Sequence, residues 1–271
     1  EGDKGALGQN GPGNVNYSSP IQIPGSWSAC RVGRASVLAV KTDGTLWAWG
    51  YNYKGQFGQN NQINYSSPVQ IGSSTDWKTD KDSISAASQR MGAIKTDGTL
   101  WMMGNGEQGQ MGNNTGGTPA HRSSPVQVPG TTWSKLGFGH NALYAIRTDG
   151  TLWAWGSNGN GQAGQNNHGS PGDNGYSSPV QIPGTTWSIV TSGADTTKAI
   201  KTDGTFWIWG ANGYGKLGLN ESSPVKRSSP TQIPGTTWKG FGQSGGDGLA
   251  SNYAVKTDGT LWSWGYNYEG Q

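Results

Sequence analysis

An all-β fold, a five-bladed β-propeller of four-stranded antiparallel blades, is predicted by three observations on this 271-residue chain. The string Lys/Arg-Thr-Asp-Gly-Thr-Leu/Phe-Trp occurs five times, at Lys41–Trp47, Lys95–Trp101, Arg147–Trp153, Lys201–Trp207 and Lys256–Trp262. Successive copies start 54, 52, 54 and 55 residues apart, and a fixed period of this length marks a repeat architecture. Composition agrees: 31% of residues are apolar, but 47 are glycine and 14 tryptophan, which suits short strands and tight turns packed by aromatic rings rather than a helical core.

Each element of the unit has its own signal. A Ser-Ser-Pro-x-Gln-Ile/Val segment followed by tryptophan precedes each copy, at Ser18–Trp27, Ser66–Trp77, Ser123–Trp133, Ser177–Trp187 and Ser228–Trp238. A strand such as Ser36–Val40 comes next. Asp-Gly between two apolar runs then predicts a hairpin with a type I′ turn. In the returning strand Thr45–Trp49, Leu46 and Ala48 share one face and Trp47 and Trp49 the other. Both faces are apolar, as in a sheet covered on both sides. A glycine after the second tryptophan (Gly50, Gly156, Gly210, Gly265) turns the chain, and a Gly-x-x-Gly segment follows, as at Gly55–Gly58 and Gly215–Gly218. Four short strands repeated at this period predict a propeller blade.

The units are expected at approximately 18–65, 66–122, 123–176, 177–227 and 228–271 plus 1–17, within one domain spanning 1–271. Residues 1–8 align with Tyr51–Gly58, and the chain stops at Gly270-Gln271 within its fifth copy. Gly5–Asn10 is therefore expected to supply the missing strand, so that the N-terminal segment closes the last blade and removes an exposed sheet edge. An excerpt from a longer array of similar blades is the rival expectation.

Several function classes are disfavoured. No run of about 18 apolar residues is present, so no membrane-spanning helix is expected. The net charge of +3 is interspersed, with Lys226-Arg227 the densest basic pair, which is not the basic stripe of a nucleic-acid binder. The single cysteine, Cys30, excludes an internal disulfide framework. The three histidines, His121, His140 and His168, stand in no metal-binding or nucleophile context. Neither a cofactor nor an enzymatic activity is expected; a carboxylate pair assembled from different repeats is the catalytic arrangement that linear sequence leaves open.

The string Asp-Gly-Thr-Leu-Trp-x-Trp-Gly-x-Asn-x-x-Gly-Gln-x-Gly, in five copies in phase, resembles the repeat of the regulator of chromosome condensation family over essentially the whole chain. The regular, Asn-, Gln- and Trp-rich copies look most like the bacterial and phage branch. Well-studied members have seven blades, so five would be a departure. The resemblance implies that the stretch before each Lys/Arg begins a strand near the propeller axis, at one mouth of a central channel. The family's usual histidine is replaced there by Ser36, Arg90, Ala142, Thr196 and Ser251.

Comparison of the copies points to binding residues. The five residues ending three before each Lys/Arg differ sharply: Arg34–Leu38, Ser88–Gly92, His140–Tyr144, Ala194–Lys198 and Leu249–Tyr253. Arg34, Gln89, Arg90, His140, Asn141, Asp195, Lys198, Asn252 and Tyr253 are the resulting candidates for a ligand-binding mouth. The linkers Thr115–Arg122, Asn166–Tyr176 and Asn220–Arg227 form a second variable region, with Arg122, His168 and Lys226 at their tips. Drift at unconstrained positions is the competing explanation for both. The tryptophans, which recur at the same landmarks with Met103 replacing the second of one copy, are expected to pack the core rather than stack on sugars, and the Lys-Thr-Asp-Gly turns to carry solvated charge rather than to form an anion or metal ring.

These readings predict a non-catalytic, lectin-like or adhesin-like module that binds a cell-surface glycan or protein, placed outside the cell or on a virion surface. A protein–protein effector, such as a secreted enzyme inhibitor or a regulator of a small GTPase, is the first alternative. A structural spacer within a longer repeat array is the second.

Overall fold

The computed structural model describes residues 5–10, 17–87, 89–115, 121–168, 175–193, 195–221, 225–242 and 251–267. The architecture is all-β, with short 3-10 turns at Lys81–Ser83 and Gly213–Gly215. No helix among these residues is long and apolar enough to cross a membrane.

Among the described residues, nineteen strands form five antiparallel sheets. The first sheet comprises β1 (Trp27–Val32), β2 (Ser36–Lys41), β3 (Leu46–Gly50) and β4 (Tyr65–Gln70), in that order. The second comprises β5 (Ile84–Ala87), β6 (Arg90–Ile94), β7 (Leu100–Gly104) and β8 (Arg122–Val128). The third comprises β9 (Trp133–Phe138), β10 (Ala142–Arg147), β11 (Leu152–Gly156) and β12 (Tyr176–Ile182). The fourth comprises β13 (Trp187–Ser192), β14 (Thr196–Lys201), β15 (Phe206–Gly210) and β16 (Arg227–Ile233). The fifth has three strands, β17 (Trp238–Phe241), β18 (Ser251–Lys256) and β19 (Leu261–Gly265). Two compact units divide the chain, 1–107 with 111–136 and 108–110 with 137–271, and the division falls within β9.

The Ser-Ser-Pro segment is the fourth strand of the sheet that precedes it, so a sheet is out of phase with the sequence unit. In the first sheet Trp47 pairs with Gln70 and Ala48 with Val69, and then the register shifts before Gly50 meets Tyr65. That irregularity beside an outer strand is where Pro68, which lacks an N–H, is tolerated.

The Asp-Gly hairpin differs from the expected type I′ turn. Positive φ is confined to the glycine (Gly44, 77°), and Gly44 N donates to Lys41 O at 3.0 Å while Lys41 N donates to Thr45 O. This is the longer hairpin connection that ends in a left-handed glycine. The aspartate is released from the left-handed region because its side chain has other work: Asp43 Oδ1 accepts from Thr45 N at 3.0 Å and from Thr45 Oγ1 at 2.6 Å. Trp47 Nε1 in turn donates to Thr45 Oγ1 at 2.8 Å. The same chain of bonds recurs at Asp97, Asp149, Asp203 and Asp258. Bonds from threonine hold all five carboxyls below the usual aspartate range.

The cation two residues before each aspartate is not simply solvated. Lys41 Nζ lies 3.9 Å from the Trp47 ring and 5.2 Å from Trp27, and Lys95, Lys201 and Lys256 each lie over the corresponding two rings. The first tryptophan of each Trp-x-Trp strand is therefore a platform for a cation, half-buried at Trp47, Trp153 and Trp207 and exposed at Trp262, and Arg147 over Trp153 follows the same rule. Trp155 and Trp209, the second tryptophans, are fully buried, as are Leu46, Leu100, Leu152 and Phe206.

The second tryptophans bind the Gly-x-x-Gly turns rather than only their own sheet. The indole Nε1 of Trp49 donates to Ala6 O (3.1 Å), Trp155 to Gln110 O (2.8 Å), Trp209 to Gln162 O (2.7 Å) and Trp264 to Lys216 O (3.0 Å). Each turn thus docks on the sheet of the following repeat. Gly5–Asn10 obeys this rule: it docks on the first sheet, where Asn10 N also donates to Ser66 O at 2.8 Å. It is a turn and not the strand expected to complete the fifth sheet. The turn chemistry of Gly-x-x-Gly, with positive φ at both glycines, overrides the strand reading.

Candidate functional site

The variable parts of the sequence converge on one end of each sheet, because the register forces them together. The first residue of the second strand pairs with the glycine that ends the third: Ser36 with Gly50, Arg90 with Gly104, Ala142 with Gly156, Thr196 with Gly210 and Ser251 with Gly265. The backbone then ties the preceding variable residue to the loop after that glycine. Tyr51 N donates to Ala35 O, Asn105 N to Gln89 O, Ser157 N to Asn141 O and Ala211 N to Asp195 O, at 2.8–2.9 Å. The same glycines face the start of the fourth strand, where the variable linkers arrive: Gly50 with Tyr65, Gly104 with Arg122 and Gly210 with Arg227. The Asp-Gly turns hold the opposite end.

A buried asparagine fixes the loops at this end. Asn52 Oδ1 accepts from Phe57 N at 3.0 Å, and its Nδ2 donates to Asn61 O at 3.2 Å and Ile63 O at 3.1 Å, so the loop and the linker share one peg. Asn158 does the same for Ala163 N and Asn167 O, and Asn212 for Leu217 N. These are the asparagines of the Trp-Gly-x-Asn string, and all three are buried. Fully bonded buried amides give rigid loops rather than adaptable ones.

On that fixed frame stand exposed side chains. In the first unit, Tyr51 and Tyr53 stack with ring centroids 6.1 Å apart and 12° between planes, and Tyr53 is 57% exposed. Lys54 Nζ lies 3.4 Å from Glu107 Oε1 and 3.0 Å from His121 Nε2, which is itself 3.3 Å from Glu107 Oε1. Burial and the Lys54 charge hold the His121 imidazole below the ordinary histidine range, against the pull of Glu107. Ile63 is 59% exposed on the adjoining linker. In the second unit, Tyr214 is 69% exposed and meets Tyr266 edge-on at 4.8 Å. Val225 and Lys226 are exposed on the linker, and Arg227 pairs with Glu221.

The residues singled out from sequence divide into two groups. Arg34, His140, His168 and Lys226 are exposed, and Gln89, Asn141, Asp195, Tyr253 and Arg122 are half-buried. Arg90, Lys198 and Asn252, also candidates for the ligand-binding mouth, are buried. β6 and β14 are buried along both faces, so alternation leaves Arg90 and Lys198 no solvent side, and polar partners make the burial of Lys198 and Asn252 tolerable. Lys198 Nζ donates to Asn252 Oδ1 at 2.9 Å and Gly242 O at 3.2 Å, and Asn252 Nδ2 donates to Lys216 O. Burial pulls the Lys198 ammonium down to about 8 and the Arg90 guanidinium down to about 10, with Glu107 opposing the latter. Gln89 is joined to Asn105 by side-chain bonding at 3.0 Å, and Asp195 to Gln162 at 3.4 Å. Ser88, Ala194, Leu249 and Ala250, and residues 116–120, 169–174 and 222–224 of the linkers, lie outside the described residues.

Tyr53, Lys54, Glu107 and Tyr214 were missed. A signal for them existed: they occupy the two unspecified places in Gly-x-Asn-x-x-Gly, which read Tyr53-Lys54, Glu107-Gln108, Asn160 after Gly159, and Tyr214 after Gly213. The copies differ there as sharply as before the Lys/Arg.

Known proteins share this sequence pattern and this fold. The family described as "Regulator of chromosome condensation (RCC1) repeat" matches residues 43–86, 97–143, 149–200 and 203–241. An RCC1 domain-containing protein of Arabidopsis thaliana, mitochondrial RUG3, is 29% identical over 278 residues, covering 98% of this chain and 60% of that one. Among solved structures, human WBSCR16 superposes with a TM-score of 0.77 at 18% identity, over 91% of this chain and 63% of that one. Prp20p from Saccharomyces cerevisiae gives 0.69 at 18% identity, over 86% and 56%. This chain therefore spans somewhat more than half the length of these relatives. With four successive matches that together cover most of its length, the chain belongs to the regulator of chromosome condensation repeat family.

Proposed function

We propose that this protein is a non-catalytic protein-binding module whose contact surface is the variable end of the sheets. The observation that carries this reading is made within each unit by itself: exposed Tyr53 lies under Lys54 of the Lys54–Glu107–His121 cluster, and exposed Tyr214 stands on a loop whose buried Asn212 is bonded to Glu221, the partner of Arg227. Rigid aromatic rings with charges nearby are the composition of protein interfaces, because rings bury much area at little entropic cost. Prp20p, similar in fold, is described with binding to Gsp1p and histones, which supports a protein partner. The five sheets as blades of one closed ring, spanning 1–271, belong to the same proposal.

The test is affinity capture from cell extracts and intact cell surfaces on the immobilised chain, beside a Tyr53→Ser/Tyr214→Ser variant. Proteins retained by the parent and lost by an equally stable variant are expected. A glycan array run on the same samples decides the rival reading: selective sugar binding with no protein captured would overturn ours in favour of a lectin-like module. Placement outside the cell or on a virion is proposed on the low charged fraction of 13%. Retention on intact cells rather than by cytosolic extract is its expected signature.

A further inference from the structure

The second sheet carries a concentration of basic side chains that the other four-stranded sheets lack. At its variable end Arg90 of β6 pairs with Gly104 of β7, which pairs in turn with Arg122 of β8, so an arginine stands on either side of a glycine. The same row reads Ser36, Gly50 and Tyr65 in the first sheet, and Ala142, Gly156 and Tyr176 in the third. In the fourth it reads Thr196, Gly210 and Arg227, and there the arginine is matched by Glu221. We propose that this end of the second sheet, with Lys54 and His121, is a binding site for a carboxylate side chain of a protein partner.

Docking of the preceding turn assembles the rest of the site. Asn60 N donates to Ser123 O at 2.6 Å, and a Cβ on Gly55 would stand 2.6 Å from Ser123 Cβ, so the turn that follows Lys54 lies against the start of β8. Lys54 Nζ thereby comes to 3.0 Å from Nε2 of His121, the residue before Arg122. The carboxylate among them is Glu107, 3.4 Å from Lys54 Nζ and 3.3 Å from His121 Nε2, and its charge also reaches buried Arg90. Three permanent cations, Lys54, Arg90 and Arg122, less this one carboxylate give the group a net charge of +2 before His121 takes a proton.

Donors remain for a ligand. Arg122 is half-buried and has no hydrogen-bond or ion-pair partner among the described residues, and the buried Nδ1 of His121 has none either. Cations partly withdrawn from water attract an anion more strongly than fully solvated ones. The planar guanidinium of Arg122 offers a carboxylate two parallel N–H groups, and the Lys54 ammonium offers a third donor. The margin selects the kind of anion. Exposed Tyr53 lies with its ring 5.4 Å from Lys54 Nζ, and exposed Ile63 stands on the linker pegged to the same loop. A phosphate backbone calls for a run of cations, whereas an acidic side chain beside an apolar one matches both the charge and its apolar border.

This inference rests on the reading of these loops as a protein-binding surface and adds the chemistry of the partner. The probe is a fluorescein-labelled peptide of glutamates around a phenylalanine, beside its counterpart with glutamine for every glutamate, and binding is followed by fluorescence anisotropy. The parent chain is expected to prefer the glutamate peptide. Arg122→Gln and Lys54→Gln should each weaken that binding roughly fivefold, the scale of a partly exposed ion pair, and Glu107→Gln should tighten it by a similar factor because the internal competitor is gone. Lys81→Gln removes the same charge beyond the far end of β5 and should leave the affinity unchanged. Equal urea midpoints establish that the variants are folded. Equal affinity, or none, for the two peptides would overturn the proposal, and so would a Glu107→Gln chain that binds no tighter than the parent. Displacement of the peptide by inorganic phosphate at a far lower concentration than by acetate would overturn the assignment to a carboxylate. All of these variants keep Tyr53 and Tyr214, so a chain that captures proteins yet ignores the glutamate peptide would sink this inference alone.

Discussion

The indole nitrogen of Trp209 lies 2.7 Å from the carbonyl oxygen of Gln162, across 47 residues of sequence. That one oxygen also accepts the hydroxyl of Tyr144 at 2.8 Å and of Thr197 at 3.3 Å, and Tyr144 and Thr197 are bonded to each other at 2.6 Å. A single main-chain carbonyl therefore gathers the third and fourth sheets of the second unit. Burial raises the Tyr144 phenol, so it stays a donor throughout the accessible pH range.

Removal of that donor is expected to be costly but not fatal. Trp209→Phe loses one bond at an oxygen that keeps two others, together with some ring volume, for a cost of about 1–3 kcal/mol. Trp207→Phe, at the half-buried cation platform two residues earlier, should cost less. Urea denaturation of both variants checks the order, and an equal loss would remove the special role of the Gln162 carbonyl.

Gly164 tests how closely that turn is held. Its φ is 69°, and a Cβ there would stand 3.2 Å from Trp209 Nε1. Gly72 has a similar φ of 63° with nothing within 4 Å. Gly72→Ala should therefore show the backbone cost alone, about 1 kcal/mol. Gly164→Ala should exceed it through displacement of the indole. Thermal melts of the pair separate strain from crowding.

Lys198 predicts an alkaline effect. Its folded value is about 8 because burial opposes the charge, while an unfolded lysine titrates near 10.4. Between those values the unfolded chain binds more protons, so stability rises with pH across this window. The cost of the buried charge is fully present below pH 8. Lys198→Met should abolish this component, and the difference between the two urea-derived stability curves from pH 7 to 10.5 measures it.

The five turn aspartates predict the opposite flank. Their folded values lie below the ordinary range near 3.9, so their stabilisation is complete above that value and fades as pH falls through the lowered values. Asp149→Asn should flatten the dependence of Tm on pH between 5 and 2 by removing one of five similar contributions. An unchanged slope would show that the Thr151 bonds do not discriminate charge.

Most of the architecture was legible because the repeat displays it five times: the strands on either side of each Asp-Gly turn, the sheet count and the all-β class follow from the landmarks alone. Three features were not, the first being Gly5–Asn10, which reads as a strand and is a turn. The Asp-Gly turn reads as type I′ by local propensity, but Thr45 offers the aspartate carboxylate two donors, and that tertiary-independent contact selects another hairpin. The phase of the blade was also hidden, since Gln162 and Trp209 meet only after two sheets have packed. At the candidate site, variability marks one end of the sheets, but it does not say which variable residue points outward. Arg90 and His140 are equally variable by sequence, and one is buried while the other is exposed.

Where Met103 replaces the second tryptophan, the chain lacks the indole donor that the other four repeats direct at a turn carbonyl. Local opening should therefore be easiest at Gly55–Gly58. Hydrogen exchange there is expected to be faster than at Gly161–Gly164, and Met103→Trp should slow it if the enlarged ring is accommodated.

Because four described turns, at Ala6, Gln110, Gln162 and Lys216, are each held by an indole of the repeat that follows, insertion or loss of one whole period leaves such clasps with a partner of the same kind. Blade number can then change by unequal recombination between near-identical copies without any junction being redesigned. The lineage is free to explore array size while its framework stays constant, and the loops at one end can diverge copy by copy.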